Sequence, residues 1–150
     1  MKTFLTLLLI FFGAFGIHAQ DMADKVLGVW VNGEGTGHIQ IYKTTSGHYA
    51  GKIIWLKEPL DPDTGKPKTD KNNPDKAKQN VPVNGLVNMK DFEYDADDKV
   101  WAHGKIYDPK NGKEYSCKME LADINTLKVR GFIGISLLGR TDTWTREVKK

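Results

Sequence analysis

The sequence predicts an all-β fold, a single eight-stranded antiparallel up-and-down barrel. Three observations carry that prediction. Runs of β-branched and aromatic residues with alternating polarity recur along the chain, separated by turn residues. The separators are short enough for hairpins, apart from Lys57 to Pro82. Trp30 stands in the first strand and Arg146 near the end of the last, as expected of a sheet that closes on itself. A two-sheet sandwich is the rival, but its Greek-key crossovers usually need several long connections.

The elements follow in order. Met1-Lys2, the apolar stretch Phe4 to Phe15 and the small-residue site Ile17-His18-Ala19 have the pattern of a cleaved signal peptide, residues 1–19. Its apolar run is about a dozen residues, where a membrane-spanning helix needs roughly 20. The mature chain, residues 20–150, is then one exported domain, periplasmic or secreted, with no transmembrane segment. Asp21 to Lys25 is expected to form a helical turn. Strands are expected at 27–31, 38–43, 48–56, 86–94, 100–107, 113–121, 127–133 and 140–148. The sixth alternates most clearly. Tyr115, Cys117, Met119 and Leu121 point one way, and Ser116, Lys118 and Glu120 the other, so one face is buried and one is wet. Asp108-Pro109-Lys110-Asn111-Gly112 is a tight hairpin, with proline setting φ and glycine permitting positive φ. In the long loop, Asn73-Pro74-Asp75 reads as a helix start with Asn73 as N-cap, and Asp75 to Gln79 as a short helix.

Closure sorts the loops. In a meander of eight strands the last runs antiparallel beside the first, so Trp30, Trp144 and Arg146 fall at one end and seal it. A guanidinium over an indole contributes about 0.5–2 kcal/mol. The alternative for Arg146 is a substrate-binding role. The connections after strands one, three, five and seven share the opposite rim: 32–37, 57–82, 108–112 and 134–139. In the last of these, Ile135, Leu137 and Leu138 stand between Gly134 and Gly139. They are either strand extensions that join the core or a surface for a ligand or partner.

These residues resemble the bacterial family catalogued as domain of unknown function 2147. The resemblance rests on Gly28-Val29-Trp30, on Gly51 to Leu56, and on Asp70 to Asp75. It continues through Gly85-Leu86, Gly104 to Pro109 and Gly112 to Tyr115, then Leu127 to Gly131 and Gly139 to Arg146. It implies a lipocalin- or calycin-like barrel that is exported and has no agreed activity. Relatives carry arginines before the position of Pro82, where this chain has Lys76, Lys78 and Gln79. A lysine lacks the planar fork of an arginine, which weakens the case for a bidentate anion contact there.

Composition narrows the function. The full chain carries 22 basic and 19 acidic residues; without Lys2 the balance is 21 against 19, or +2, too weak to point to nucleic acid. The single cysteine, Cys117, cannot form an intramolecular disulfide and lies on the alternating core face. His38, His48 and His103 lack ligand spacing, and Asp61-Pro62-Asp63-Thr64-Gly65 lacks the later ligands of a calcium loop, so no metal and no cofactor are expected. No nucleophile elbow is present and no catalytic residue is assigned. An eight-stranded barrel either fills with its own side chains or holds one small ligand. Gly51, Ala102, Gly104 and Gly131 leave room if they face inward.

The first reading is therefore a binding protein for a small apolar or amphipathic ligand. Asp70, Asn73, Asp75, Tyr107 and Asp108 would orient its polar end, and Ile135, Leu137 and Leu138 would meet its apolar part. The second is an envelope module that docks a protein partner through the 134–139 loop. The third is a hydrolase or isomerase using rim carboxylates.

Overall fold

The computed structural model describes residues 14–148, so residues 1–13 of the expected signal peptide lie outside the described residues. The strands are β1 Gly28–Val31, β2 Gly37–Lys43, β3 Tyr49–Leu56, β4 Val87–Asp95, β5 Val100–Asp108, β6 Lys113–Asp123, β7 Thr126–Phe132 and β8 Gly139–Arg146. They form a closed barrel in sequence order, every neighbour antiparallel. β8 closes on β1 through Trp30 opposite Arg146 and Val31 opposite Thr145.

Helical structure differs from the expectation. The one α-helix of the described chain, α1 Ala14–Ala23, precedes the barrel and runs into a 3-10 turn at Asp24–Val26. The long loop holds only a 3-10 turn, Lys76–Lys78, capped by Asp75, whose side chain accepts from Ala77 N. Asn73 sits two residues earlier and accepts from Asp75 N at 2.9 Å, which bends the chain into the turn rather than capping it. Among the described residues no helix is long and apolar enough to cross a membrane.

The core is built by period-two alternation. Trp30, Ile39, Ile41, Tyr49, Ile53, Met89, Phe92, Trp101, Cys117, Met119, Leu127, Val129 and Trp144 are buried together. Two strands bend to admit the largest of them. Asp91 and His103 take positive φ, at 64° and 61°, and each sits at a break in the ladder between β3, β4, β5 and β6. The break turns Phe92 inward across Gly104. A Cβ on Gly104 would overlap the Phe92 ring, so only glycine fits there. Gly51 is packed similarly, with the Met89 sulfur 2.9 Å and Ile39 Cγ2 3.1 Å from where its Cβ would stand. Both glycines face inward, but neighbouring side chains take the space they leave.

One end of the barrel is sealed. The segment Ala23–Leu27 crosses it and is pinned by two indoles: Trp30 Nε1 donates to Val26 O at 2.9 Å and Trp101 Nε1 to Ala23 O at 3.1 Å. Arg146 completes the seal. Its guanidinium lies 4.2 Å from the Trp30 ring centroid and donates to the carbonyls of Lys25, Leu27 and Ile124 at 2.6–2.8 Å. Burial lowers its pKa, yet every polar edge of the group is engaged. Tyr49 Oη adds a 2.6 Å bond to Asp24, which holds that carboxyl below its usual range.

Candidate functional site

The opposite rim gathers the four connections 32–36, 57–86, 109–112 and 133–138. The long connection is folded down onto it by a buried carboxylate. Asp70 is fully buried; Tyr107 Oη donates to its Oδ1 at 2.7 Å and Asn73 Nδ2 to its Oδ2 at 2.7 Å. Asp70 N donates in turn to Val81 O, and Lys68 O accepts from Val83 N, which places Val83 in the core. Asn72 Nδ2 donates to the carbonyls of Pro109 and Lys110, tying the same segment to the β5–β6 turn. Burial, then the Asp70 carboxylate, pushes the Tyr107 phenol up to about 12.

Asp70, Asn73 and Tyr107 are therefore brought together, but as a latch. Asp70 has no exposed surface and both its oxygens are engaged within the protein. Asp75 is exposed, caps its 3-10 turn and pairs with Lys78 at 3.7 Å. Asp108 Oδ1 accepts from Lys110 N at 2.9 Å and shapes the hairpin. Among the described residues, none of the five polar residues hydrogen-bonds to the 133–138 loop.

That loop is neither strand nor core. Ile135 initiates a 3-10 turn, Ser136–Leu138, and Ile133, Ile135, Leu137 and Leu138 are 68, 61, 85 and 74% exposed. Arg130 braces it, donating to Leu137 O at 3.3 Å and to Thr141 Oγ1 at 2.9 Å.

Beside the loop the inner wall changes character. Register pairs Leu127 with Trp144, Val129 with Asp142 and Gly131 with Arg140, so Asp142 and Arg140 continue the inward face upward from Trp144. Both are exposed. Ile106 and Tyr115, opposite one another on β5 and β6, are half-buried. A Cβ on Gly131 would meet only Ile106 Cγ2 at 3.7 Å, Tyr115 Cβ at 3.8 Å and Ser116 O at 4.0 Å, which is ordinary contact. Asp142 bonds Gly33 N at 3.1 Å and Trp144 Nε1 at 2.7 Å, so it holds the β1–β2 loop at the edge of this mouth.

Gly131, Arg140 and Asp142 were not singled out from the sequence as site residues. The signal was present: Arg140, Asp142, Trp144 and Arg146 alternate on one face of the last strand, and an inward face bearing three charges is not a packed core.

A separate concavity lies elsewhere. A hollow of about 350 Å³ opens between the β2–β3 and β4–β5 turns at the sealed end, lined by Gln20, Lys43, His48, Tyr49, Glu93 and Tyr94 among others. His48 bridges Ser46 Oγ at 3.0 Å and Glu93 Oε1 at 3.2 Å within it. Its wall includes Ala19 and Gln20, the two residues flanking the expected leader cleavage point. Among the described residues no three His, Cys, Asp or Glu side chains gather as metal ligands. Cys117 is buried and its thiol is pushed up to about 12, far from a reactive thiolate.

No curated protein matches the chain. A solved structure does: protein HP1028 from the human pathogen Helicobacter pylori, described as belonging to the lipocalin family. It matches with a TM-score of 0.68 at 22% identity, over 81% of this chain and 82% of that one. At that identity the likeness shows the fold, a lipocalin-like barrel. Residues 28–146 match the family described as an uncharacterized protein conserved in bacteria (DUF2147), and the chain belongs to that family.

Proposed function

We propose that this protein is an exported binding protein that takes a small amphipathic molecule at the mouth of the barrel. The observation that carries the reading is the open inner wall above the core. Ile106, Tyr115 and Gly131 offer apolar surface, and Arg140 and Asp142 offer charge on the same face. Ile135, Leu137 and Leu138 rise beside them. Ligand sites combine an apolar lining with a few placed polar groups, and this wall has both. The depth is limited, because Trp30, Trp101, Phe92, Met89 and Met119 fill the barrel below. The ligand therefore lies across the mouth instead of down the axis. Likeness to a lipocalin supports the architecture only.

Native mass spectrometry of protein purified from its producing cell tests this reading. A stoichiometric bound molecule is expected on the parent and absent from Gly131→Leu, which fills the mouth with tolerated contacts. Parent protein that carries no added mass, or a Gly131→Leu variant that keeps it, would count against the mouth as the site. Retention of an added mass after loss of His48 or Glu93 would leave the mouth in place; its loss there would move the site to the other end.

The envelope module without a ligand is favoured by one observation, the exposed apolar loop. Rim catalysis draws no support from Asp70, whose oxygens are occupied.

A further inference from the structure

The exposed large apolar residues Met22, Trp55, Leu60, Val81, Val87, Ile124 and Val148 are spread over several elements, with Leu60 and Val81 sharing the long connection. Ile133, Ile135, Leu137 and Leu138 are the exception, four in one loop at the mouth. Single exposed apolar side chains need no explanation, whereas a cluster marks a contact surface. In sequence the loop is flanked by basic residues, and Asp142, the first acid after it, already accepts from Gly33 N and Trp144 Nε1. No acidic residue stands between Asp123 and Asp142, while Lys128, Arg130 and Arg140 do. Arg140, at the base of the loop, has no hydrogen bond or ion pair among the described residues. A protein partner that fitted this surface would present an apolar groove rimmed by acids. A bilayer containing anionic lipid presents both features everywhere, acyl chains beneath a negatively charged surface.

We propose that the 133–138 loop docks the protein on an anionic lipid bilayer, with Leu137 and Leu138 entering the acyl boundary and Arg140 facing lipid phosphates. Arg130 acts in support: it donates to Leu137 O and so holds the main chain of the loop upright. Docking here turns the mouth toward the membrane and leaves the sealed end on the far side. The inference goes beyond ligand binding and does not require it, because a labelled loop reports on vesicles whether or not a molecule occupies the mouth.

The test places an environment-sensitive fluorophore at each end in turn. Cys117 is 1% exposed, so Leu137→Cys and Ser46→Cys each supply one accessible thiol on opposite ends of the barrel. With mixed phosphatidylglycerol and phosphatidylethanolamine vesicles, the label at 137 is expected to shift to the blue and brighten. The label at 46 is expected to stay in water, and phosphatidylcholine vesicles to give a smaller response at 137. Adding Arg140→Gln to the Leu137→Cys protein lowers partitioning on the anionic vesicles about fivefold, as expected for one basic residue near the surface. Any of four results overturns the proposal. They are a label at 137 that stays in water, an equal or larger response at 46, no effect of Arg140→Gln, or a shift at 137 that follows protein concentration without vesicles. The last result would assign the loop to a second copy of the chain.

Discussion

Arg146 and Arg140 stand on the same strand and the same inward face, and the structure uses them in opposite ways. Arg146 spends its donors on three main-chain carbonyls and its flat face on Trp30. Arg140 engages nothing among the described residues and is exposed. The difference is one of what lies across the barrel. Below, Ala23–Leu27 closes the end and presents carbonyls that have no strand partner, and a guanidinium fork satisfies several at once. Above, the ladder partner of Arg140 on the neighbouring strand is Gly131, which presents no side chain. One end of the barrel is organised for stability and the other is left with unspent chemistry.

The largest effect expected from this comparison is at the sealed end. Arg146→Ala leaves three carbonyls without their donor and uncovers Trp30, a loss of about 3 kcal/mol. Thermal denaturation should show a fall of roughly 6–12 °C. Arg140→Ala, the matching change at the mouth, should move the midpoint by less than about 1 °C, because an exposed unpaired side chain is removed.

The inward glycines sharpen the same contrast. Gly104→Ala drives a methyl into the Phe92 ring and is expected to cost about 2 kcal/mol in chemical denaturation. Gly131→Leu, a far larger addition, should cost less than about 1 kcal/mol, since its Cβ finds ordinary contacts and an open mouth above. Equal losses for the two would mean that the mouth is packed as tightly as the centre.

Tyr107→Phe lies between the two regions. It removes one of the two donors to a fully buried carboxylate and is expected to cost about 1–2 kcal/mol. It also alters the pH response. The Tyr107 phenol is raised in the folded state from 10.0 to about 12, so the native protein favours its neutral form. Its contribution is complete below pH 10 and is lost as pH rises through about 12. The stability difference between parent and Tyr107→Phe should therefore be constant up to pH 10 and shrink above it.

Much of the fold was legible in the sequence, because strand alternation and hairpin residues are local signals. The runs ending at Val31, Lys43 and Leu56 are strands within a residue or two of their expected limits. The closed barrel also follows from the shortness of all connections but one. The site was less legible. Asp70 looked like a rim carboxylate, and only tertiary structure shows that Tyr107 and Asn73 enclose it. Asn73 resembled an N-cap, but its side chain accepts from Asp75 N while its amide group donates to Asp70, and the cap of the turn is Asp75. Gly104 and Gly131 look alike in sequence; the Phe92 ring, turned inward by positive φ at Asp91, separates their roles. Leu137 and Leu138 carried an ambiguity between core and surface that apolarity alone does not resolve.

The central claim is that function resides at the mouth and not at the sealed end, although a hollow of about 350 Å³ lies at the sealed end. Amide chemical-shift mapping during titration with an amphipathic anion, anilinonaphthalene sulfonate, tests it most directly. The account predicts shifts concentrated at Ile106, Tyr115, Gly131, Leu137 and Arg140, with His48, Glu93 and Tyr94 unmoved. Shifts confined to His48, Glu93 and Tyr94, around the 350 Å³ hollow, would contradict it.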